Sequence, residues 1–578
     1  MPESVGKIRV ADCFYQHFLM RYYISLLVLL FSFHAFAHPL EGKSPVVIGN
    51  AAERGKDYKF RLHLKDKGLT DYSVAHPSAF LSERSIARKE RQQAVIDASD
   101  FPICGDYFTL VEKAGGRVVS FSKWFQTMVV QVPDSALIES VRRLPFVDSV
   151  KYVWKGKDRS SPGRMRPRLN PLCCPVQFVD TVFGLTQKQF RLHDAEKMYH
   201  AGFRGKGIVI GVIDAGFTNF DVMPCFRGIR LEGYRNFVPG GEIFSSSDHG
   251  TRVLSTMAVR QEGWMMGSAS EASYWLLRSE DAASEFPVEE DYWVRAVEVA
   301  DSLGVDLINT SLGYNQFDDR TLNYSHRDLT GRKSLMSMAA DKAFEKGMLV
   351  VVSAGNSGNK QWGKTTAPGD AHHAITVGAV GIDSLIAPFS SRGYTADGRI
   401  KPDLVSIGQN TVTIGGDGAI GMVNGTSFSA PFFAGMMAAL WSVDPSLHRS
   451  QLIERVKHAS DRFARPDSIY GNGIPDFGQA MEKMLADLTL SGDTVTEPDF
   501  SLSRMAKDSF LFTLSLPGTP PSFCEVLLLD QSANPVSQTQ FEEASLKVVL
   551  PTGFGEQNAF FYFVLRTPER QKTCRFRW

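Results

Sequence analysis

Three successive patterns of apolar and polar positions divide the chain. In the first, from about Asp57 to Lys155, residues Tyr58 to Lys65 alternate apolar and polar, as a half-buried strand does. The charged stretch Leu81–Gln93 reads as a helix. Val118–Phe121 and Met128–Val132 read as strands around Lys123-Trp124. Asp134 is placed to cap a helix carrying Leu137, Ile138, Val141 and Leu144 on one side, and Val147–Trp154 reads as a last strand. The order β-α-β-β-α-β predicts an α+β, ferredoxin-like unit. In the second pattern, from about Val179 to Leu485, the apolar runs Ile208–Ile213, Ser273–Leu277, Asp306–Asn309, Met348–Ser353 and Ala374–Val377 alternate with helical stretches such as Asp291–Leu303 and Ala339–Lys346. Uninterrupted apolar strands between helices predict an α/β domain, a parallel sheet covered on both faces. In the third, after about Asp487, Phe510–Leu516, Cys524–Leu529, Ser545–Leu550 and Asn558–Arg566 are short strands broken by proline and glycine, which predicts a small β-sandwich.

Composition changes this picture little. The 578 residues suffice for about three or four domains. The 43% hydrophobic and 22% charged content is that of a folded globular protein. Sixty-three basic and 63 acidic side chains cancel, which argues against nucleic acid as a partner. The N-terminus adds a targeting segment. Arg21 precedes the apolar run Ile24–Phe33, and Ala35-Phe36-Ala37 supplies a small-x-small cleavage site. The run is shorter than the ~20 residues that span a bilayer. Residues 1–37 therefore read as a leader cut after Ala37, with Met20 a candidate true start, and the mature protein is expected outside the cell or on its surface. Seven cysteines (Cys13, Cys104, Cys173, Cys174, Cys225, Cys524 and Cys574) fix no framework. Cys524 and Cys574 flank the last domain and leave a bridge between them open. Residues 156–178 form a linker, basic and rich in proline and glycine up to residue 170.

The candidate chemistry lies in the middle segment. Acyl transfer by serine needs a hydroxyl, a base, a carboxylate to orient the base, and donors for the oxyanion. Asp214 ends an apolar strand. His249, in Asp248-His249-Gly250-Thr251, starts a helix. Asn356 follows a strand in Ser353-Ala-Gly-Asn-Ser-Gly358. Ser427, in Gly425-Thr-Ser-Phe-Ser-Ala-Pro431, opens a helix that is apolar nearly all round. Alone, the aspartate, the histidine and the asparagine each read as ordinary structural residues; the serine heptapeptide does not. The order Asp, His, Ser is that of subtilisin and differs from chymotrypsin and the α/β-hydrolases. An esterase of the last type needs Gly-x-Ser-x-Gly, which the Ser427 context lacks.

On these motifs the chain resembles the subtilisin-like serine proteases (subtilases, peptidase family S8), especially the secreted Bacteroidetes type. Gly202-Phe-Arg-Gly-Lys-Gly207, Asn309-Thr-Ser-Leu-Gly-Tyr314, Val377-Gly-Ala379, Phe389-Ser-Ser-Arg392 and Asp397-Gly-Arg-Ile-Lys-Pro-Asp403 extend the resemblance over residues 179–485. It implies a secreted serine endopeptidase, made as a zymogen and acting on proteins or peptides. Ser427 is then the nucleophile, His249 the base and Asp214 its orienter, with Asn356 in the oxyanion hole. Ser311, Leu312 and Gly313 form the substrate-binding strand, and Ala354 and Gly355 line the opposite pocket wall. Residues 57–155 become a propeptide, the enzyme's own chaperone and inhibitor, removed by cutting in the linker. The sequence departs from the family at Phe428, where methionine is common, and at Ser270, where proline is common. A monomer without cofactor is expected; calcium is left open with no ligands predicted. The competing reading is a catalytically silent subtilase fold used for binding. The acidic run Glu280, Asp281, Glu285, Glu289, Glu290, Asp291 reads as a solvated loop and helix start, and His372-His373 as structural. The tail to Trp578 reads as the end of a sandwich, with a secretion-sorting domain as the alternative.

Overall fold

The computed structural model describes residues 57–156, 166–170, 182–497, 500–514, 524–541, 545–552, 554–567 and 570–578. The leader, Met20, Cys13, Cys173, Cys174 and most of the linker lie outside the described residues. The alternation at Tyr58–Lys65 gives strand β1 (Asp57–Leu64), which turns Leu62 and Leu64 into a core. It pairs antiparallel with β3 (Thr127–Val132) and β4 (Val147–Gly156), and β2 (Arg117–Ser122) flanks β3. The sheet order β2-β3-β1-β4 is the ferredoxin-like one. The helices differ from expectation. The charged stretch forms α1 (Glu83–Arg91), capped by Ser82, but its buried residues are Ser85, Arg88 and Lys89. Such a face has no place in an apolar core. The sheet is covered instead by α2 (Gly105–Lys113), not foreseen in sequence, through Phe108 and Val111, together with the short α3 (Ile138–Arg142).

The middle segment builds a seven-stranded sheet from β5 (Val209–Asp214), β6 (Arg230–Asn236), β7 (Ser273–Arg278), β8 (Leu307–Thr310), β9 (Leu349–Ser353), β10 (Ile375–Val380) and β11 (Leu404–Ile407). The order is β11-β10-β9-β8-β5-β7-β6 and every pairing is parallel. Successive side chains of β5 enter different cores. Ile210 and Val212 pack with α4 (His249–Ala258) and α7 (Thr426–Trp441). Val209 and Ile213 pack with α5 (Val288–Leu303) and α6 (Leu335–Glu345). This two-sided burial is why the strands read as unbroken apolar runs. All 16 residues of α7 are buried, so it is the central helix of its layer. Helices α8 (Arg449–His458) and α9 (Phe477–Asp487) follow, and α9 runs two residues past the boundary expected at Leu485.

The last segment forms two four-stranded antiparallel sheets from β12 (Thr494–Thr496), β13 (Phe500–Ala506), β14 (Ser509–Leu514), β15 (Cys524–Leu529), β16 (Pro535–Phe541), β17 (Ser545–Val549), β18 (Phe560–Arg566) and β19 (Gln571–Arg577). Their orders are β12-β13-β14-β17 and β16-β15-β18-β19, and Phe500, Phe510, Phe512, Val526, Phe561 and Phe563 fill the space between. Four of these strands escaped the sequence pattern. In β16 all but the last residue are exposed, so it shows no alternation to detect. Cys524 and Cys574 are not joined to each other. They stand on β15 and β19, and β18 runs between those strands. Two interstrand spacings of ~4.8 Å exceed the ~7 Å limit for bridging Cα atoms.

Candidate active site

The carboxyl end of β5 and the amino end of α4 meet because a glycine lets them. A Cβ on Gly250 would stand 2.4 Å from the Gly216 carbonyl oxygen and 3.0 Å from the Asp214 Cβ. The fully buried Asp214 accepts His249 Nδ1–H at 2.8 Å on Oδ1 and 3.0 Å on Oδ2, and its Oδ1 also takes the Ala215 amide at 2.7 Å. A proton fixed on Nδ1 leaves Nε2 of the neutral ring as an acceptor. Burial pushes the imidazole pKa down, but the charge and hydrogen bond of Asp214, with Glu280 and Asp248 behind, outweigh it and raise it to about 9.

Ser427 is the second residue of α7, after the Gly425 cap. Proline at position 431 has no N–H, so the Ser427 carbonyl loses its helical partner four residues on. Ser311 replaces it: its hydroxyl donates to the Ser427 carbonyl at 2.9 Å, and the Ser427 hydroxyl donates back to the Ser311 carbonyl at 3.2 Å. The Phe428 ring lies 5.8 Å from the His249 ring, centroid to centroid, so the serine turn and the imidazole are neighbours. Asn356, exposed beyond the end of β9, accepts from the Thr426 amide at 2.9 Å and its hydroxyl at 3.0 Å through Oδ1. A backbone N–H only donates, so this contact identifies the amide oxygen and leaves Nδ2 as the side chain's donor. A Cβ on Gly425 would lie 3.7 Å from that nitrogen.

The expected pocket residues come together around one that sequence did not single out, Thr366. A Cβ on Gly313 would stand 2.2 Å from Thr366 Oγ1, and one on Gly355 3.1 Å from it. Tyr314 and Ala367 exchange backbone hydrogen bonds of 2.8 and 3.1 Å, which ties the two walls together. Gly313 is exposed and Gly355 half-buried, while Ser311, Leu312 and Ala354 are buried behind them. Its neighbours Ala367-Pro368-Gly369 mark only a turn between β9 and β10, which carries no signal for Thr366.

The family model "Subtilase family" matches residues 205–473, and that of the peptidase S8 propeptide domain of Bacteroidota matches residues 59–166. Residues 205–473 are a subtilase-family domain. It is 27% identical over 300 residues to serine protease AprX of Bacillus subtilis, covering 46% of this chain and 65% of AprX. Against subtilisin E of the same species it is 28% identical over 284 residues, covering 48% of this chain and 67% of that one. The match thus spans about two thirds of these relatives' length. The solved epidermin leader peptide processing serine protease EpiP of Staphylococcus aureus shares the fold: TM-score 0.51 at 16% identity, over 75% of this chain and 100% of that one. The middle domain is a serine endopeptidase domain, and the ferredoxin-like unit before it is its propeptide.

In this subtilase the propeptide sits on α5, and that corrects the reading of the acidic run as solvated. Glu289, Glu290 and Asp291 are 0, 1 and 4% exposed. Arg61 of β1 donates to Asp291 at 2.6 and 2.7 Å and approaches Glu290 at 3.9 Å, while Glu289 accepts the amides of Asp281 and Phe286. Two turns on, the Glu298 carboxylate accepts the Lys123 and Trp124 amides at 3.0 and 2.9 Å and the Ser122 hydroxyl. Sequence reading took the run as local because the cation that pairs with it, Arg61, lies more than 200 residues away. Burial first, then the Asp214 charge, raise the Glu280 carboxyl to about 7. His372 and His373 both bond Asp341, a structural use. Among the described residues no three His, Cys, Asp or Glu side chains converge as a metal site.

Proposed function

We propose that the chain is exported as a zymogen through its leader and, freed of its propeptide, hydrolyses peptide bonds in proteins as a monomer. His249 Nε2 takes the Ser427 proton as Oγ attacks the carbonyl carbon. Asp214 holds the resulting imidazolium without taking its proton. The oxyanion that forms is met by Asn356 Nδ2 and by the amide of Ser427, at the positive end of α7. The imidazolium then protonates the leaving amine, and water repeats the cycle on the acyl-enzyme. Before attack, the Ser427 hydroxyl turns from the Ser311 carbonyl towards Nε2 by rotation about its single χ1 torsion. Gly313 and Gly355 are the bare backbone walls between which a substrate side chain fits, above Thr366, with substrate backbone laid along Ser311–Gly313 as an added strand. Nucleophile, base and donors are all groups of the chain, so no step calls for a cofactor.

The observation that carries this reading is the buried Asp214 carboxylate on His249 Nδ1, which leaves Nε2 free beside the Ser427 turn. A fluorophosphonate probe should label the propeptide-free protein on Ser427 and leave Ser427→Ala unlabelled. Unlabelled mature wild type would overturn it. Sequencing the N-terminus of unprocessed Ser427→Ala protein recovered from the medium checks the leader.

A further inference from the structure

Beside the amino end of α4 lies a groove that the chain fills with its own residues 166–170. One wall is the turn Thr218–Asp221; the other is the tip of the hairpin formed by Thr411–Ile414 and Ile420–Val423. Arg166 Nη1 donates to both Asp221 carboxylate oxygens, at 2.8 and 2.9 Å. The Pro167 carbonyl accepts Asn219 Nδ2 at 2.8 Å. Leu169 packs on the peptidase core, and the Asn170 amide donates to the Asp417 carbonyl at 2.7 Å.

The groove is built rather than incidental. Asn219 is 2% exposed and sits at φ 60°, a left-handed conformation that asparagine tolerates better than most residues. Its Nδ2 also donates to the Gly416 carbonyl at 2.7 Å, which clamps the turn to the hairpin. Next to Pro167 the groove opens into a cavity of about 320 Å³, lined among others by Thr218, Ser246, Asp248 and Gly416. Asp248, on the cavity wall, directly precedes the catalytic base His249 at the amino end of α4. The groove's charge is acidic: Asp221 and Asp417 stand on the walls, and the one arginine lining the cavity, Arg252, is engaged by Asp248 at 3.0 Å.

We propose that this groove is a peptide-binding subsite for substrate residues on the leaving-amine side of the cut, with a preference for a basic side chain against Asp221. The proposal rests on the peptidase reading above. Chain order supplies the side: residues 166–170 follow the propeptide and precede β5, so the segment lies in the groove as the C-terminal part of a peptide whose N-terminal part is the propeptide. Asn219 and the Asp417 carbonyl hold backbone and are blind to sequence. Leu169 meets an apolar surface, and Asp221 reads charge, which arginine satisfies best with its several donors.

The test uses mature enzyme released from the full chain and two quenched-fluorescent peptide series. These are identical before the cut and carry Arg or Glu at successive positions after it. A chromogenic anilide with no residue after the cut serves as control. At one downstream position kcat/KM should favour Arg by about two- to fivefold, the range of a partly exposed ion pair. Asp221→Asn should erase that ratio and Asp221→Arg invert it, with the anilide rate unchanged for both. Arg and Glu cut equally, or a preference that survives Asp221→Arg, overturns the subsite while the anilide rate upholds the peptidase. Hydrolysis of neither substrate overturns the peptidase reading and the subsite with it.

Discussion

At the residue scale the site depends on a few groups whose partners are set by deletion as much as by addition. Gly250 brings His249 to Asp214 by having no side chain. Pro431 frees the Ser427 carbonyl by having no N–H, and Ser311 occupies it. The raised imidazole has a direct consequence for pH dependence. With its pKa near 9, His249 is largely protonated at neutral pH and cannot accept the serine proton. Activity on a small anilide, measured as kcat/KM, should therefore climb with pH to a midpoint near 9. Asp214→Asn should move that midpoint down towards the ordinary imidazole value of ~6.5 and cut the plateau by about 10⁴-fold. Stability follows with its own sign: a raised pKa means the protonated form contributes fully below ~6.5, and the contribution is lost as pH rises through 9. Ser427 was legible in sequence because its whole heptapeptide is unusual. Asp214 and His249 were legible only through order and context, and Thr366 not at all, since its part comes from facing two glycines on separate loops.

At the element scale the telling case is α1. Its pattern is that of a charged surface helix, yet Arg88 and Lys89 are fully buried. Both reach Asp301 near the end of α5, Lys89 at 2.8 Å, while Arg84 and Arg91 pair with Asp306 at 2.5 and 2.6 Å. Burial by itself would raise the Asp301 carboxyl, but Lys89, Arg88 and Lys123 hold it down at about 2. This clamp lies away from the catalytic centre and adds to the Glu298 contacts. Asp301→Asn leaves two buried cations short of a counter-charge, a loss of about 3–5 kcal/mol. After processing, the cleaved propeptide of that variant should separate from the peptidase on gel filtration at a protein concentration where the wild-type pair stays together. For the wild type, the Asp301 contribution is complete above ~pH 4 and fades as pH falls towards 2, so neutral buffers alone should not release the propeptide through this residue. Periodicity reads a helix correctly here and misjudges its environment, because the partner acids belong to another domain.

At the scale of the whole molecule the C-terminal sandwich is part of the peptidase's core. Leu527, Leu529, Tyr562 and Val564 belong to the same cluster as α4 and α7. Arg566, 4% exposed, stands between Glu525 at 2.7 Å and Glu271 at 3.5 Å, and Gln571 Nε2 donates to the Ser442 carbonyl at 2.9 Å. A Cβ on Gly202 would come within 2.9 Å of Arg566 Nη2 and Leu527 Cδ2, so the glycine that opens Gly202-Phe-Arg-Gly marks a close approach between domains. Deleting residues 489–578 strips this cover from the peptidase. The truncated protein should partition into the insoluble fraction, or melt well below the full chain where soluble, so export of such a deletion reports folding before it reports sorting. Soluble protein with an unchanged melting temperature would contradict the shared core. The sequence by itself determined the three-part architecture, the parallel sheet and the residues with reactive chemistry, because strand burial on two faces and helix-opening turns leave local patterns that need no partner to be read. Tertiary structure alone decided which helix covers the propeptide sheet, where the acidic run finds its counter-charges, how Thr366 and the Asn219 groove arise, and that the sandwich is fused to the core. Each of these is a contact between residues far apart in the chain, and such contacts impose no periodicity on the segments that make them.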